Sequence, residues 1–286
     1  MGCKSSRHWI AKVDRIVNEE AGELSRSCPP QLSRHREGAE GGRGVLDGCN
    51  ALVTGSTRGI GKAIAERLIL EGASVIVTGR DDDAGHRLCQ TMGPSAEFVS
   101  ADLRSKADVA RLVAVAVARN VDILVNNAGV YRFTSTQAVT VDEFDLLVDT
   151  NLRATFFLTQ SVLESMRERR RGRVVNVTTT AAYRPNGDCS AYAATKAAVA
   201  SLSKSWAAEY GRYGILVNTV APGVIYTDTA RSLGEDVLEE MAARASLRRI
   251  GTAEEVASAV FFLVSPSCSY TSGITLFVDG GMLVGV

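Results

Sequence analysis

A doubly wound α/β domain, its parallel sheet covered by helices on both faces, is the fold this sequence predicts. Three observations carry that expectation. From Val45 onward, short apolar runs alternate with longer runs of helical period. The short runs are apolar throughout rather than at every second position, as strands buried on both faces require. A glycine-rich segment, Thr54-Gly-Ser-Thr-Arg-Gly-Ile-Gly61, joins the first short run to the first long one, so a tight turn leads straight from strand into helix.

In chain order the expected strands are residues 50–53, 74–78, 96–100, 122–125, 173–178, 215–220 and 274–278. The expected helices are 61–70, 106–118, 142–147, 154–169, 192–210 and 253–263. No internal repeat is visible. Residues 1–44 differ from the rest: they are rich in Gly, Ser, Arg and Glu and contain Cys28-Pro-Pro30. Such a composition cannot bury a core and reads as a flexible extension, with residues 45–286 forming one domain. The start Met1-Gly-Cys-Lys-Ser-Ser6 fits an acylation pattern, which we read as a chance match.

Composition narrows the function. The 286 residues carry zero formal net charge and 45% hydrophobic side chains, enough for a sizeable core. Charge balance argues against nucleic acid as the partner, because phosphate binding needs a basic excess. No apolar run is long enough for a membrane span. The six cysteines are scattered, with no Cys-x-x-Cys pair, which argues against zinc and a disulfide framework and for a reducing, cytoplasmic setting. Histidines occur only at His8, His35 and His86. Chemistry in the last two thirds of the chain therefore runs without imidazole, which removes Ser-His-Asp and Cys-His mechanisms there.

Tyr192 and Lys196 then become the candidate proton-transfer pair. Four positions apart on a helix, they share a face. A tyrosine hydroxyl ordinarily ionises near pH 10, and a neighbouring cation favours the phenolate. The turn Gly55, Thr57, Arg58, Gly59, Ile60 and Gly61 fits a dinucleotide, with glycines admitting the pyrophosphate and the helix N-terminus supplying N–H donors and positive dipole. The second strand runs into Val77-Thr-Gly-Arg80, with glycine where an NAD-selective site wants an acid. Arg58 and Arg80 could instead converge on a 2′-phosphate. The expected cofactor is NADP(H), with NAD(H) as the alternative because Asp81, Asp82 and Asp83 follow at once.

Taken in order, Thr54-Gly-x-x-x-Gly-Ile-Gly61, Asp102-Leu103, Asn126-Asn-Ala-Gly129, Asn151, Tyr192-x-x-x-Lys196, Asn218, Pro222-Gly223 with Thr227, and Val278-Asp-Gly-Gly-Met282 resemble the short-chain dehydrogenase/reductase family over residues 46–282. The resemblance implies a seven-stranded Rossmann-like sheet, a nicotinamide cofactor and a homotetramer. It implies that Tyr192 is the acid/base, that Lys196 lowers its pKa and bonds the nicotinamide ribose, and that Asn151 holds a water linking Lys196 to solvent. It places Asp102 at the adenine ring, Leu103, Asn127, Ala128 and Gly129 along the cofactor, and Pro222, Gly223 and Thr227 around the nicotinamide amide. Where the family has a catalytic serine, this chain has Thr179. Its hydroxyl keeps the hydrogen-bonding role, and its added methyl narrows the substrate range. Thr178 and Thr180 are expected to point elsewhere by strand alternation.

The spacing is most similar to that of 3-oxoacyl-(acyl carrier protein) reductases. The implied reaction is hydride transfer between nicotinamide and a carbonyl, secondary alcohol or acyl thioester. Residues 130–133, 181–188 and 224–249 are the expected walls of the substrate pocket. The arginines at 167, 169, 170, 171 and 173 are read as helix-terminal cations, with carrier docking as the alternative. A NAD-linked dehydrogenase of the same fold is the second functional reading. A catalytically silent sensor is the third, and the set Tyr192, Lys196 and Asn151 argues against it.

Overall fold

In a computed structural model the structure describes residues 44–231 and 234–284. The expectations for residues 1–43, including the acylation pattern, lie outside the described residues. Seven parallel strands form one sheet: β1 (Asn50–Val53), β2 (Ser74–Gly79), β3 (Ala96–Ser100), β4 (Ile123–Asn126), β5 (Gly172–Val177), β6 (Ile215–Pro222) and β7 (Thr275–Val278), in the spatial order β3-β2-β1-β4-β5-β6-β7. The order reverses between β1 and β4. A doubly wound sheet opens a crevice at that point, outside the carboxyl ends of its strands.

Strand alternation divides the core in two. Ala51, Val53, Val75 and Val77 face α1 (Gly59–Leu70) and the helix Ala253–Val264, through Ile64, Leu68, Val256 and Val260. Leu52, Ile76, Leu124 and Val174 face the opposite way, toward helices that present Leu112, Val113, Leu158, Val162 and Trp206. Both faces of every central strand are therefore buried, which is why these runs are apolar throughout.

The remaining helices, in chain order, are α2 (Asp82–Met92), α3 (Lys106–Ala118), α4 (Val141–Leu147), α5 (Ala154–Arg169), α6 (Ser190–Tyr210), α7 (Asp228–Arg231), α8 (Glu235–Ala243) and α9 (Ala253–Val264). Three of these, α2, α7 and α8, were not expected from the sequence. α2 rests on the first core through the partly buried Leu88, Cys89 and Met92, and in α8 only Leu238 is buried, so each apolar stripe is short. Between α4 and α5 the chain forms one wide π-turn, Val148–Arg153. Such turns carry no sequence pattern and often mark functional sites. This one contains Asn151.

Candidate active site

The first helix is built differently at its start from its neighbours. Asp81, Ser105, Thr140 and Thr252 each cap a helix by accepting a backbone N–H. At α1 the capping position is Arg58, whose side chain makes no such bond, and the first turn carries no acid. The terminus keeps its positive end for an outside anion. The approach is cleared by glycine. Gly55 has φ +62°, and a Cβ there would lie 2.9 Å from Ala128 Cα. A Cβ at Gly61 would sit 2.3 Å from Gly55 O and 2.4 Å from Asn127 Nδ2. Gly59, with φ +54°, lies over Thr227.

Asn127 holds this turn shut. Its Nδ2 donates to the carbonyls of Thr54 and Gly55, each at 3.0 Å, and Thr54 Oγ1 accepts from the Asn127 and Ala128 N–H groups. Asn126 is a brace of another kind, fully inside, donating to Thr159 Oγ1 and Asn176 Oδ1. The turn's backbone is thus fixed to the end of β4 before any ligand arrives.

At the far end, Arg58 and Arg80 are exposed beside the ends of β1 and β2. A Cβ at Gly79 would lie 2.6 Å from Thr57 Cγ2, so a side chain at the tip of β2 collides with Thr57. Asp81 is committed to capping α2, its Oδ1 accepting from Ala84 N at 2.9 Å, and Asp82 and Asp83 sit in that helix's first turn. Asp102 carries a partner that no motif announces. Arg104 grips its carboxylate through Nε at 3.0 Å and Nη2 at 2.5 Å, and that hydrogen bond holds the Asp102 carboxyl below its usual range. Leu103 packs against the second core.

The reacting end is a cavity of about 610 Å³ at the carboxyl ends of β4, β5 and β6. Ile60, Asn127, Gly129, Thr179, Tyr192, Lys196, Pro222, Gly223 and Thr227 all line it. Thr179 follows β5 with extended backbone and half-buried side chain, between buried Thr178 and Thr180. Thr178 Oγ1 turns to Val220 O at 3.3 Å, and Thr180 Oγ1 turns toward Met282 Sδ. Thr179 Oγ1 accepts from Ala181 N at 3.3 Å and lines the cavity beside the Tyr192 hydroxyl. Two hydroxyls from distant parts of the chain thus converge on one point. Thr179→Ala is expected to lower carbonyl turnover about 10–100-fold, whereas Thr179→Ser keeps it and admits bulkier ketones. Steady-state kinetics on matched ketones checks both, and unchanged turnover in the alanine variant removes Thr179 from the site.

The electrostatics differ from expectation in one respect. Burial pushes the Tyr192 hydroxyl up to about 12, against the opposing pull of the Thr179 hydrogen bond. Burial also pulls Lys196 down to about 8. No lowering of Tyr192 by Lys196 is seen. The ammonium group donates to Val177 O at 3.0 Å, and desolvation outweighs the rest. Tyr192 is therefore held as a proton donor.

Asn151 is buried beneath the pair. Its Oδ1 accepts from Val130 N and its Nδ2 donates to Val130 O, both at 2.8 Å, with a third bond to Thr195 Oγ1. It ties the loop after β4 to the catalytic helix. Lys196 Nζ and Asn151 Oδ1 meet across Gly129, where a Cβ would stand 3.0 and 3.2 Å from them. The π-turn brings the amide to this place.

The sequence missed Cys189, Met282 and Leu283 as lining residues. Met282 lay within the quoted C-terminal motif, a signal that could have found it. The arginine cluster sits elsewhere. Arg169 donates to Asp122 Oδ1 at 2.7 Å and to the carbonyls of Asn120 and Val121, and Arg171 reaches the same carboxylate at 3.1 Å. Arg170 bonds Arg212 O, and Arg167 pairs with Glu164. These groups precede β5 while Thr179 follows it, so roughly 20 Å of strand separates cluster from cavity.

A pre-cleared, uncapped helix terminus at a topological switch point, joined to a cavity with paired hydroxyls and a buried lysine, defines a dinucleotide-dependent oxidoreductase. Residues 55–283 match a family model described as Enoyl-(Acyl carrier protein) reductase. The chain is 38% identical over 239 residues to the 3-oxoacyl-(acyl-carrier-protein) reductase FabG of Salmonella typhimurium, covering 83% of this chain and 98% of that one. Among solved structures, a short chain dehydrogenase/reductase family protein is 46% identical with a TM-score of 0.79, covering 82% of this chain and 97% of its own. A 3-oxoacyl (acyl-carrier-protein) reductase from Agrobacterium tumefaciens C58 with NADP bound is 36% identical with a TM-score of 0.79, covering 82% and 95%. This chain belongs to the short-chain dehydrogenase/reductase family. It is an NAD(P)-dependent oxidoreductase acting on CH–OH and carbonyl groups, similar to the 3-oxoacyl-(acyl-carrier-protein) reductases.

Proposed function

We propose that this protein is an NADP(H)-dependent ketoreductase that converts the oxo group of a 3-oxoacyl thioester or similar small ketone to a secondary alcohol. The observation that carries this reading is that the Thr179 and Tyr192 side chains stand beside each other in the cavity wall. Two hydroxyls meeting there fit a carbonyl oxygen, whereas reduction of a carbon–carbon double bond offers them no oxygen at the reacting atoms. A nicotinamide held by the Gly55–Gly61 turn would supply a hydride for the carbonyl carbon. Tyr192 gives its proton to the carbonyl oxygen, and Thr179, fixed by the Ala181 N–H, holds that oxygen in place. Lys196 keeps a positive charge close by as negative charge grows on the phenol oxygen.

The preference for NADP(H) over NAD(H) rests on three features. Gly79 cannot carry the NAD-type acid with Thr57 in place. Asp81 is occupied as a helix cap. Arg58 and Arg80 are exposed near the strand ends. Fluorescence titration is expected to show NADPH binding more tightly than NADH. Arg80→Ala should weaken NADPH roughly 10–100-fold and leave NADH nearly unchanged. Tight NADH binding with none for NADPH would reverse the assignment.

The seven strands share one sheet, which supports reading residues 45–286 as one domain. Among the described residues no helix is long and apolar enough to cross a membrane. We read the protein as cytoplasmic, supported by free, scattered Cys49, Cys89, Cys189 and Cys268. We also propose a homotetramer. The exposed Leu70, Phe262 and Tyr270 are apolar surface available for association. Light scattering after size exclusion should report four copies, and a stable monomer at micromolar concentration counts against it.

A further inference from the structure

The loop after β4 brings two aromatic side chains to the cavity. Tyr131 and Phe133 both line it, and they are 37% and 55% exposed. Neither belongs to either buried core, and neither has a part in the proton transfer. Their rings stand in file with the acid. Phe133 meets Tyr131 edge-on at 5.6 Å between centroids, and Tyr131 meets Tyr192 edge-on at 6.4 Å. The file begins at the most exposed ring and ends at the one that donates the proton.

The loop that carries these rings is pinned on both sides of them. Before them, Val130 exchanges two hydrogen bonds with Asn151, each at 2.8 Å. After them, Thr134 Oγ1 donates to Glu143 Oε1 on α4 at 2.7 Å, and Thr136 Oγ1 lies 3.0 Å from Ser190 Oγ at the start of α6. Tyr131 and Phe133 are thus held in the wall before a ligand arrives, so little ordering entropy remains to be lost on binding.

Two thioethers also line the cavity. Met241 comes from α8 and Met282 from the segment after β7, both half-buried, and Met282 Sδ lies 3.9 Å from Thr180 Oγ1, one residue from Thr179. An aliphatic chain would gain as much from leucine and valine walls. Rings and polarizable sulfurs add a further attraction only for a π-system. We propose that the physiological substrate is a ketone with an aromatic ring at or next to the reacting carbonyl, and that Tyr131, with Phe133 beyond it, receives that ring and sets specificity. This inference rests on the carbonyl-reductase reading and deepens it.

The test uses methyl ketones of matched size, phenyl against cyclohexyl and benzyl against cyclohexylmethyl, at saturating NADPH, with an acetoacetyl thioester run beside them. The proteins are wild type, Tyr131→Leu, Tyr131→Phe and Phe133→Leu. The quantity read is the aromatic-to-cyclohexyl ratio of kcat/KM within each protein, which cancels any general loss of activity. Tyr131→Leu is expected to lower that ratio ~3–10-fold, chiefly through KM, and Phe133→Leu to lower it less. Tyr131→Phe should keep the wild-type ratio, because the ring and not its hydroxyl receives the substrate. A ratio unchanged in Tyr131→Leu, or lowered as far in Tyr131→Phe, overturns the inference while leaving carbonyl reduction intact. Turnover of the thioester with none of any aromatic ketone likewise overturns it, and would assign the cavity to acyl chains. No turnover of any ketone or thioester sinks the carbonyl-reductase reading, and this inference with it.

Discussion

Tyr192→Phe is expected to cut carbonyl turnover roughly 10²–10⁴-fold while leaving NADPH affinity and the melting temperature close to wild type. The substitution removes one oxygen from a ring that keeps its packing, including the edge-on contact with Tyr131 at 6.4 Å between centroids. The loss should fall on kcat, because the hydroxyl acts on charge that develops as hydride arrives. The pH dependence follows from the upward shift of Tyr192 to about 12. Reduction needs the protonated hydroxyl, which is present throughout the neutral range. Oxidation of the alcohol needs the phenolate, so its rate should climb with pH, by up to ~10-fold per unit below that pKa. Single-turnover kinetics in both directions reads this. An oxidation rate flat from pH 6 to about 9, with chemistry rate-limiting, would place the proton acceptor elsewhere.

Lys196→Met should lower turnover about 10²–10³-fold, the range seen when one fixed charge-stabilising donor is lost from a dry site. Stability should respond differently. Burial holds Lys196 at about 8, below its ordinary 10.5. Between those two values the unfolded chain carries a proton that the native chain has released, so native stability rises with pH there. Below pH 8 the cost of burying the charge is fully present. The wild type should therefore gain on Lys196→Met as pH rises from 8 to about 10. Differential scanning calorimetry of both proteins at pH 7 and at about 9.5 gives the comparison. A difference in melting temperature that does not move toward the wild type would show that the ammonium group is not desolvated.

Much of the site was legible because its requirements are local. The spacing of Tyr192 and Lys196 needs only one helix, and the Gly55–Gly61 turn needs only one strand-to-helix junction. Uniformly apolar runs announce strands buried on two faces. The substrate walls at 130–133, 181–188 and 224–249 were also located as segments, and Tyr131, Arg184 and Arg244 within them line the cavity. What escaped was the part each residue plays. Asn127 looked like a cofactor contact and is also the clasp that fixes the turn. Asp81 looked like a rival ribose ligand and caps α2.

The sequence by itself determined the order of the strands, the parallel sheet, the family and the residue types available for proton transfer, since periodicity and short motifs are written in contiguous residues. Only the tertiary structure decided that Thr179 and Tyr192 line one cavity side by side, that a π-turn sets Asn151 beside Lys196 across Gly129, and that burial holds Tyr192 protonated. Those outcomes depend on how segments far apart in the chain exclude water from one another. Desolvation is a property of the packed whole and leaves no mark on any short stretch of sequence.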